Sequence, residues 1–341
     1  MSRMKSAIYQ GIKQIAIEER PIPKAGPKDV VVQIKCAGIC ATDMTAYQYN
    51  GDIVAIYPGA EFGHEMVGVV SEAGVDVQNI PPGARVFVNP LLHRSVGALD
   101  RGGAFSEYIL VENARLDYNV FILPANVSFE EAVVTEPFSV GVHGKNVPGA
   151  QPGSNVVVYG AGAIGLCTLA ALSGSGITRV VVVDLDEHRL ELAQEMGAIP
   201  FNAQSGQLEE FLNSHFGQAF NCLGKAVPNV DIFIDCAGAP NIPNQFLKLA
   251  KMGAKLSVVA VHKKPVEIMI GEVMWSEAAI MGSFMYSPDD IKEALHYLSQ
   301  RNTGITKIVT HRFPHSKIVE AFEKASNPSQ AVKVIIDYDL N

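Results

Sequence analysis

Residues 156–165 read VVVYGAGAIG, an apolar run that ends in glycines spaced G-x-G-x-x-G. A helix-compatible run, Leu166 to Leu172, follows. A second apolar run, VVVV (180–183), then ends in Asp184, 19 residues past Gly165. This order predicts a strand–turn–helix–strand unit that holds dinucleotide phosphates at the turn. Gly160 permits the tight turn, Gly162 lets the backbone approach a pyrophosphate, and Gly165 lets helix and strand pack closely. The helix N-terminus adds unpaired N–H groups and the positive end of the dipole. Asp184 accepts hydrogen bonds from ribose hydroxyls, and its charge repels a 2′-phosphate, which favours NAD over NADP. The alternative is that Asp184 only caps the next helix. Arg189, five residues on, reaches the ribose without requiring a phosphate.

The same grammar continues with DIFID (231–235) and LSVVAV (256–261). Short apolar strands alternating with amphipathic helices predict an α/β domain whose doubly wound parallel sheet is covered on both faces. The first half is different. VVVQI (30–34), MVGVV (66–70), ARVFV (84–88) and FSEYILV (105–111) are short runs punctuated by Gly and Pro, and they read as β-rich. Ser128 and Glu131 form an S-x-x-E capping box, which predicts a helix from Phe129. Ser287, Pro288 and Asp290 start another helix. A helix over 316–325 and a strand over 332–337 end the chain.

At 341 residues the chain exceeds one ordinary core, and two domains are expected. The net charge of -8 argues against a nucleic-acid surface, which needs clustered Lys and Arg. Five cysteines at low density argue against a disulfide framework and for a reducing, cytoplasmic setting. The N-terminus lacks the apolar core of a signal peptide. Residues 150–178 carry no charge, yet Gly160, Gly162, Gly165, Gly174 and Gly176 break the run, so no membrane span is expected.

Cys40 lies in AGICATDMTAY (37–47), among small, turn-forming residues. A buried thiol is by itself an ordinary core filler. Downstream, EFGHEMVGVV (61–70) holds His64 and Glu65, and TEPF (135–138) holds Glu136. Cysteine, histidine and carboxylate all bind zinc, and a catalytic zinc takes three protein ligands and keeps one position open. Spacing alone does not separate this set from a satisfied histidine and solvated carboxylates.

Taken together, ICATDM, FGHEMVGVV, GARV, GGAFSEY, LPANVSFEEAVVTEPFSVGVH, GAGAIG, VVVDLDEHRLELA and VTHRFP resemble the zinc-dependent medium-chain dehydrogenase/reductase family in order and spacing. EPFSVGVH and VTHRFP look most like its sorbitol (polyol) dehydrogenase branch. The resemblance implies a GroES-like β-rich catalytic domain, residues 1–150 with 287–341, around a Rossmann domain of residues 151–286. It implies zinc- and NAD-dependent oxidation of a secondary alcohol or polyol. Cys40 and His64 would be zinc ligands. Glu65 and Glu136 would be the carboxylates at the metal, bound directly or through water. Thr42 would pass on the alcohol proton, with Asp43 orienting the site. Ile164, Asp184 and Arg189 match contacts to the adenosine half of NAD. Val259 to Val261 and Phe284 to Tyr286 match segments near the nicotinamide. A homo-oligomer, dimer or tetramer, is expected.

Three departures stand out. Relatives often carry four cysteines for a structural zinc, but FVNPLLHRSVGALDR (87–101) has none, and His93 alone cannot hold a metal. No structural zinc is therefore expected. Thr45 stands where a relay histidine often sits. Met285 replaces the arginine of the usual F-R-Y, so the substrate is expected to be less hydroxylated than sorbitol or held differently. An amino alcohol such as threonine, a cyclitol or a sugar phosphate remains an alternative substrate. A non-catalytic dinucleotide-binding protein and a zinc-free quinone reductase are the readings that the filled zinc positions oppose.

Overall fold

The computed structural model describes residues 2–93, 103–327 and 329–340. The side chain of His93 and most of the segment that bears on structural zinc lie outside the described residues. Two compact units divide the chain, residues 1–136 with 309–341 and residues 137–308. The sequence boundaries of 150 and 287 differ from these divisions at both ends. The Pro288–Gln300 helix packs on the Ala163–Gly174 helix, so closely that a Cβ on Gly174 would meet the Tyr297 ring at 2.7 Å. That packing counts the helix with the parallel sheet.

The first unit is mostly antiparallel. Its sheet runs in the order Val309–Pro314, Lys333–Asp337, Val30–Gly38, Glu65–Ala73, Arg85–Val88 and Val120–Ile122, and Tyr108–Val111 also pairs with Val30–Gly38. The Ile318–Ala325 helix joins the first two strands, which are parallel. VTHRFP forms one edge strand of this sheet. Burial of alternate strand residues builds a core in which Phe62, Phe105 and Phe322 meet edge-on or tilted, at centroid distances of 4.9–5.7 Å. The Ser128–Glu131 capping box forms, with Ser128 N–H donating to Glu131 at 2.7 Å and Glu131 N–H donating to Ser128 Oγ at 3.2 Å. ATDMTAYQ, read as turn-forming, is instead a helix, Ala41–Gln48, with Cys40 at its N-cap. The Asp43 carboxylate explains this start, because it accepts the Cys40 N–H at 2.9 Å.

The second unit is the expected parallel sheet. In space its strands run Ile199–Asn202, Val180–Asp184, Val156–Tyr159, Ile232–Asp235, Lys255–Val258, Ala279–Gly282. Numbered in chain order this is 3-2-1-4-5-6. Strand order reverses between Val156–Tyr159 and Ile232–Asp235, and ligands of such sheets bind beyond the strand C-termini at that reversal. No helix among the described residues is long and apolar enough to cross a membrane. All five cysteines are free thiols.

Candidate metal centre and dinucleotide crevice

Two neighbouring strands of the first unit bring the metal candidates together. Val30–Gly38 leads into Cys40, and Glu65 opens the next strand directly opposite Gly38. Gly38 has to be glycine there, since a Cβ would fall 1.9 Å from Glu65 Oε2. Gly63, at φ +89, turns the chain just before His64, and a Cβ on it would lie 2.7 Å from the Phe105 ring. The result is that Cys40 Sγ, a His64 ring nitrogen and a Glu65 carboxylate oxygen all lie within 4.8 Å of one another. Among the described residues this is the only such cluster of three or more metal-binding side chains. Glu136, buried in the first turn of the Thr135–Asn146 helix, falls outside the cluster but adds its field to it. Thr42 Oγ1 lies 3.8 Å from Cys40 Sγ. Thr45 Oγ1 is instead bonded to its own helix, at Ala41 O, 2.9 Å away.

The electrostatics suit a cation. Burial opposes a charged His64, yet the Cys40 sulfur, Asp43 and Glu136 together lift its imidazole well above the ordinary value. Asp43 is fully buried, and burial raises its carboxyl. Its Oδ1 makes no hydrogen bond and faces His64 Nδ1 at 3.8 Å, a distance too long for one. A soft sulfur, an imidazole and a carboxylate in a negative, dry setting form a donor set that fits zinc.

One partner was not visible in the sequence. Lys333, 4% exposed, places Nζ 2.7 and 2.8 Å from the two oxygens of fully buried Glu65 and 3.2 Å from Ile39 O. It comes from the last strand and carries no local motif, so nothing short of the fold points to it.

In the second unit the three glycines lie at the turn between the Val156–Tyr159 strand and the Ala163–Gly174 helix. Gly160 has φ +94, and a Cβ there would press on Cys236 and Ala237 at 3.2 Å. Gly162 is the N-cap of the Ala163–Gly174 helix and has open space, with Arg189 Nη1 the nearest neighbour of an added Cβ at 3.9 Å. A Cβ on Gly165 would sit 1.8 Å from Gly160 O. This is a cradle that side chains would fill and that suits a pyrophosphate. Asp184 is not the helix cap; Asp186 is, accepting the Arg189 N–H at 3.1 Å. Asp184 accepts from Ala161 N–H at 2.6 Å, from Leu185 N–H at 2.7 Å and from Asp186 N–H at 3.0 Å, so it clamps the glycine loop to the next strand. Ile164 is half-buried in the first helical turn.

Further along the crest, Val259 and Val261 follow the Lys255–Val258 strand, and Phe284 and Tyr286 follow Ala279–Gly282. Val261 and Phe284 are 86% and 82% exposed, whereas Tyr286 is buried. Met285 between them takes φ +56, a left-handed conformation that costs a non-glycine residue about 1 kcal/mol or more. On the same crest Asp235 and His262 bond at 2.8 Å, a pairing that no local motif announces.

Residues 26–119 match the alcohol dehydrogenase GroES-like domain family, and residues 163–300 match the zinc-binding dehydrogenase family. Sorbitol dehydrogenase of Mus musculus is 30% identical over 355 residues, covering 98% of this chain and 96% of that protein. L-idonate 5-dehydrogenase of Vitis vinifera is 29% identical over 345 residues, covering 96% and 93%. An alcohol dehydrogenase of Escherichia coli CFT073, solved with NADH, is 27% identical at TM-score 0.85, covering 99% of this chain and 100% of that one. Family matches, relatives and donor set agree: the chain belongs to the zinc-dependent medium-chain dehydrogenases, in their polyol branch, and is an alcohol oxidoreductase that works with zinc and a nicotinamide dinucleotide.

Proposed function

We propose that the chain oxidises a secondary alcohol or short polyol with NAD, and that Cys40, His64 and a carboxylate, Glu65 or Glu136, hold the zinc. The observation that carries this reading is the convergence of Cys40, His64 and Glu65 within 4.8 Å. Zinc, when bound, supplies a Lewis acid that lowers the pKa of a hydroxyl, and the dinucleotide supplies the hydride acceptor. The chain does the rest. Thr42 Oγ1, beside Cys40, accepts the substrate hydroxyl proton and passes it outward. Asp43 orients His64, and Lys333 restrains Glu65. The backbone around Gly160, Gly162 and Gly165 binds the pyrophosphate, and Ile164, Asp184 and Arg189 hold the adenosine half. Val259, Val261, Phe284 and Tyr286 form the apolar side of the nicotinamide site and keep water from it.

The relatives named for sorbitol and L-idonate support a hydroxylated substrate. Met285 offers no charged donor, so a substrate with fewer hydroxyls than sorbitol suits this site better. Zinc per chain and NADH formation across secondary alcohols, diols, sorbitol and threonine test the reading. We expect one zinc, removable by chelator with loss of activity, and a higher kcat/KM for simple diols than for sorbitol. A zinc-free active enzyme, or activity confined to amino alcohols, overturns it.

Asp184 supports NAD over NADP. A hydrogen bond to a charged group is worth about 1.5–3 kcal/mol, so Asp184→Asn is expected to move the NAD:NADP ratio of kcat/KM by about tenfold or more toward NADP. Unchanged kcat/KM values for both cofactors would remove Asp184 from cofactor choice. The setting we propose is cytoplasmic, with a homodimer or tetramer as the working form. The Ala279–Gly282 strand is a sheet edge, and Ile270, Met274 and Trp275 on the helix before it are exposed, which supports subunit contact there. Light scattering that gives a monomer mass at micromolar concentration would overturn the oligomer.

A further inference from the structure

The carboxylate of Asp235 is a junction on the crest of the parallel sheet. Asp235 is fully buried and ends the strand beside the point where strand order reverses. Its Oδ1 accepts the Ala237 and Gly238 N–H groups at 3.0 and 2.8 Å, which shapes the turn that leaves this strand. Its backbone oxygen accepts the Val259 and Ala260 N–H groups at 3.0 and 2.9 Å, which starts the loop that leaves the next strand. Its Oδ2 lies 2.8 Å from His262 Nε2. A carboxylate only accepts, so Nε2 carries the hydrogen.

These bonds tie together two loops that touch. A Cβ added to Gly238 (φ +68) would lie 3.2 Å from Val261 O and 3.3 Å from Ala260 Cβ. The turn also abuts the glycine loop, because a Cβ on Gly160 would meet Ala237 at 3.2 Å. Val261 itself is 86% exposed, with little packing to fix it, and the residue after it is the one tied back to Asp235. His262 thus closes a loop whose open side is the crevice.

We propose that His262 is a positioning residue for the cofactor: held by Asp235, it sets the shape of the Val259–Val261 loop against which the nicotinamide half of the dinucleotide lies. This rests on the dinucleotide reading above and adds to it a residue outside the Cys40–His64–Glu65 cluster. A hydrogen bond to a buried carboxylate is stronger than a neutral one, and its loss frees a solvent-facing loop.

Calorimetry on the zinc-loaded enzyme with NADH and with ADP-ribose tests this. ADP-ribose lacks only the nicotinamide. His262→Ala is expected to weaken NADH binding by about tenfold and leave ADP-ribose binding unchanged. His262→Gln, whose amide nitrogen reaches where Nε2 stood, is expected to restore most of the difference. A purely structural clasp would weaken both ligands together or neither, and either result overturns the proposal. Wild-type enzyme that binds NADH no better than ADP-ribose would instead overturn the nicotinamide site itself, and the role of His262 with it.

Discussion

Cys40→Ala is expected to abolish turnover and zinc retention while NADH binding stays near the wild-type value. Cys40 sits at the N-cap of a short helix, and its backbone N–H is held by Asp43, so the local fold does not depend on the sulfur. The metal site does depend on it. Of the three clustered donors Cys40 supplies the only soft one, and without it His64 and Glu65 form a two-point site. Loss of a Lewis acid removes several kcal/mol of transition-state stabilisation, roughly a thousandfold or more in rate. The glycine loop and Asp184 belong to the other compact unit and keep their own backbone bonds. The check is elemental analysis, steady-state rates and NADH titration on one preparation. Retained turnover would sink Cys40 as a zinc ligand.

The second large effect concerns stability. Lys333→Met is expected to lower stability by about 3–5 kcal/mol, because it removes the ammonium that bonds both oxygens of the buried Glu65 carboxylate. At about 2–4 °C per kcal/mol for a unit of this size, melting falls by roughly 10 °C. The double variant Glu65→Gln with Lys333→Met removes both charges and is expected to recover much of the loss. Calorimetric melting of the three proteins after chelation separates the ion pair from any stabilisation by metal. A single variant that melts with the wild type would show that the pair carries no net stability.

Much of this was legible because it is local. The three glycines, the strand–helix alternation and both capping boxes are signals within a few residues of the structure they cause. The reversal of strand order follows from the parallel alternation they set up. The Ala41–Gln48 helix was hidden because ATDMTAYQ has no apolar stripe; its start depends on one carboxylate bond, and its anchorage on the buried Ala46 and Tyr47. The position of Asp184 at the end of a strand is visible in the sequence, but its clamp on Ala161 N–H appears only in three dimensions. Lys333, Asp235 and His262 were illegible for a shared reason. Each acts through a partner on a separate segment of the chain, and one sequence carries no record of such pairings.

The two kinds of partner around Glu65 lie at very different chain distances. Cys40 and His64 are close in sequence, and pairing of Val30–Gly38 with Glu65–Ala73 assembles all three donors. Lys333 is 268 residues from Glu65. Closing the longer loop costs more entropy and rewards folding later. The Cys40–His64–Glu65 cluster is therefore expected to assemble during refolding before the final strand docks, which stopped-flow refolding of Lys333→Met beside the wild type would check. The register of the first strand pair, set by its own backbone pairing, thus places the donors near one another, and the distant Lys333 supplies the counter-charge that Glu65 keeps in the finished fold.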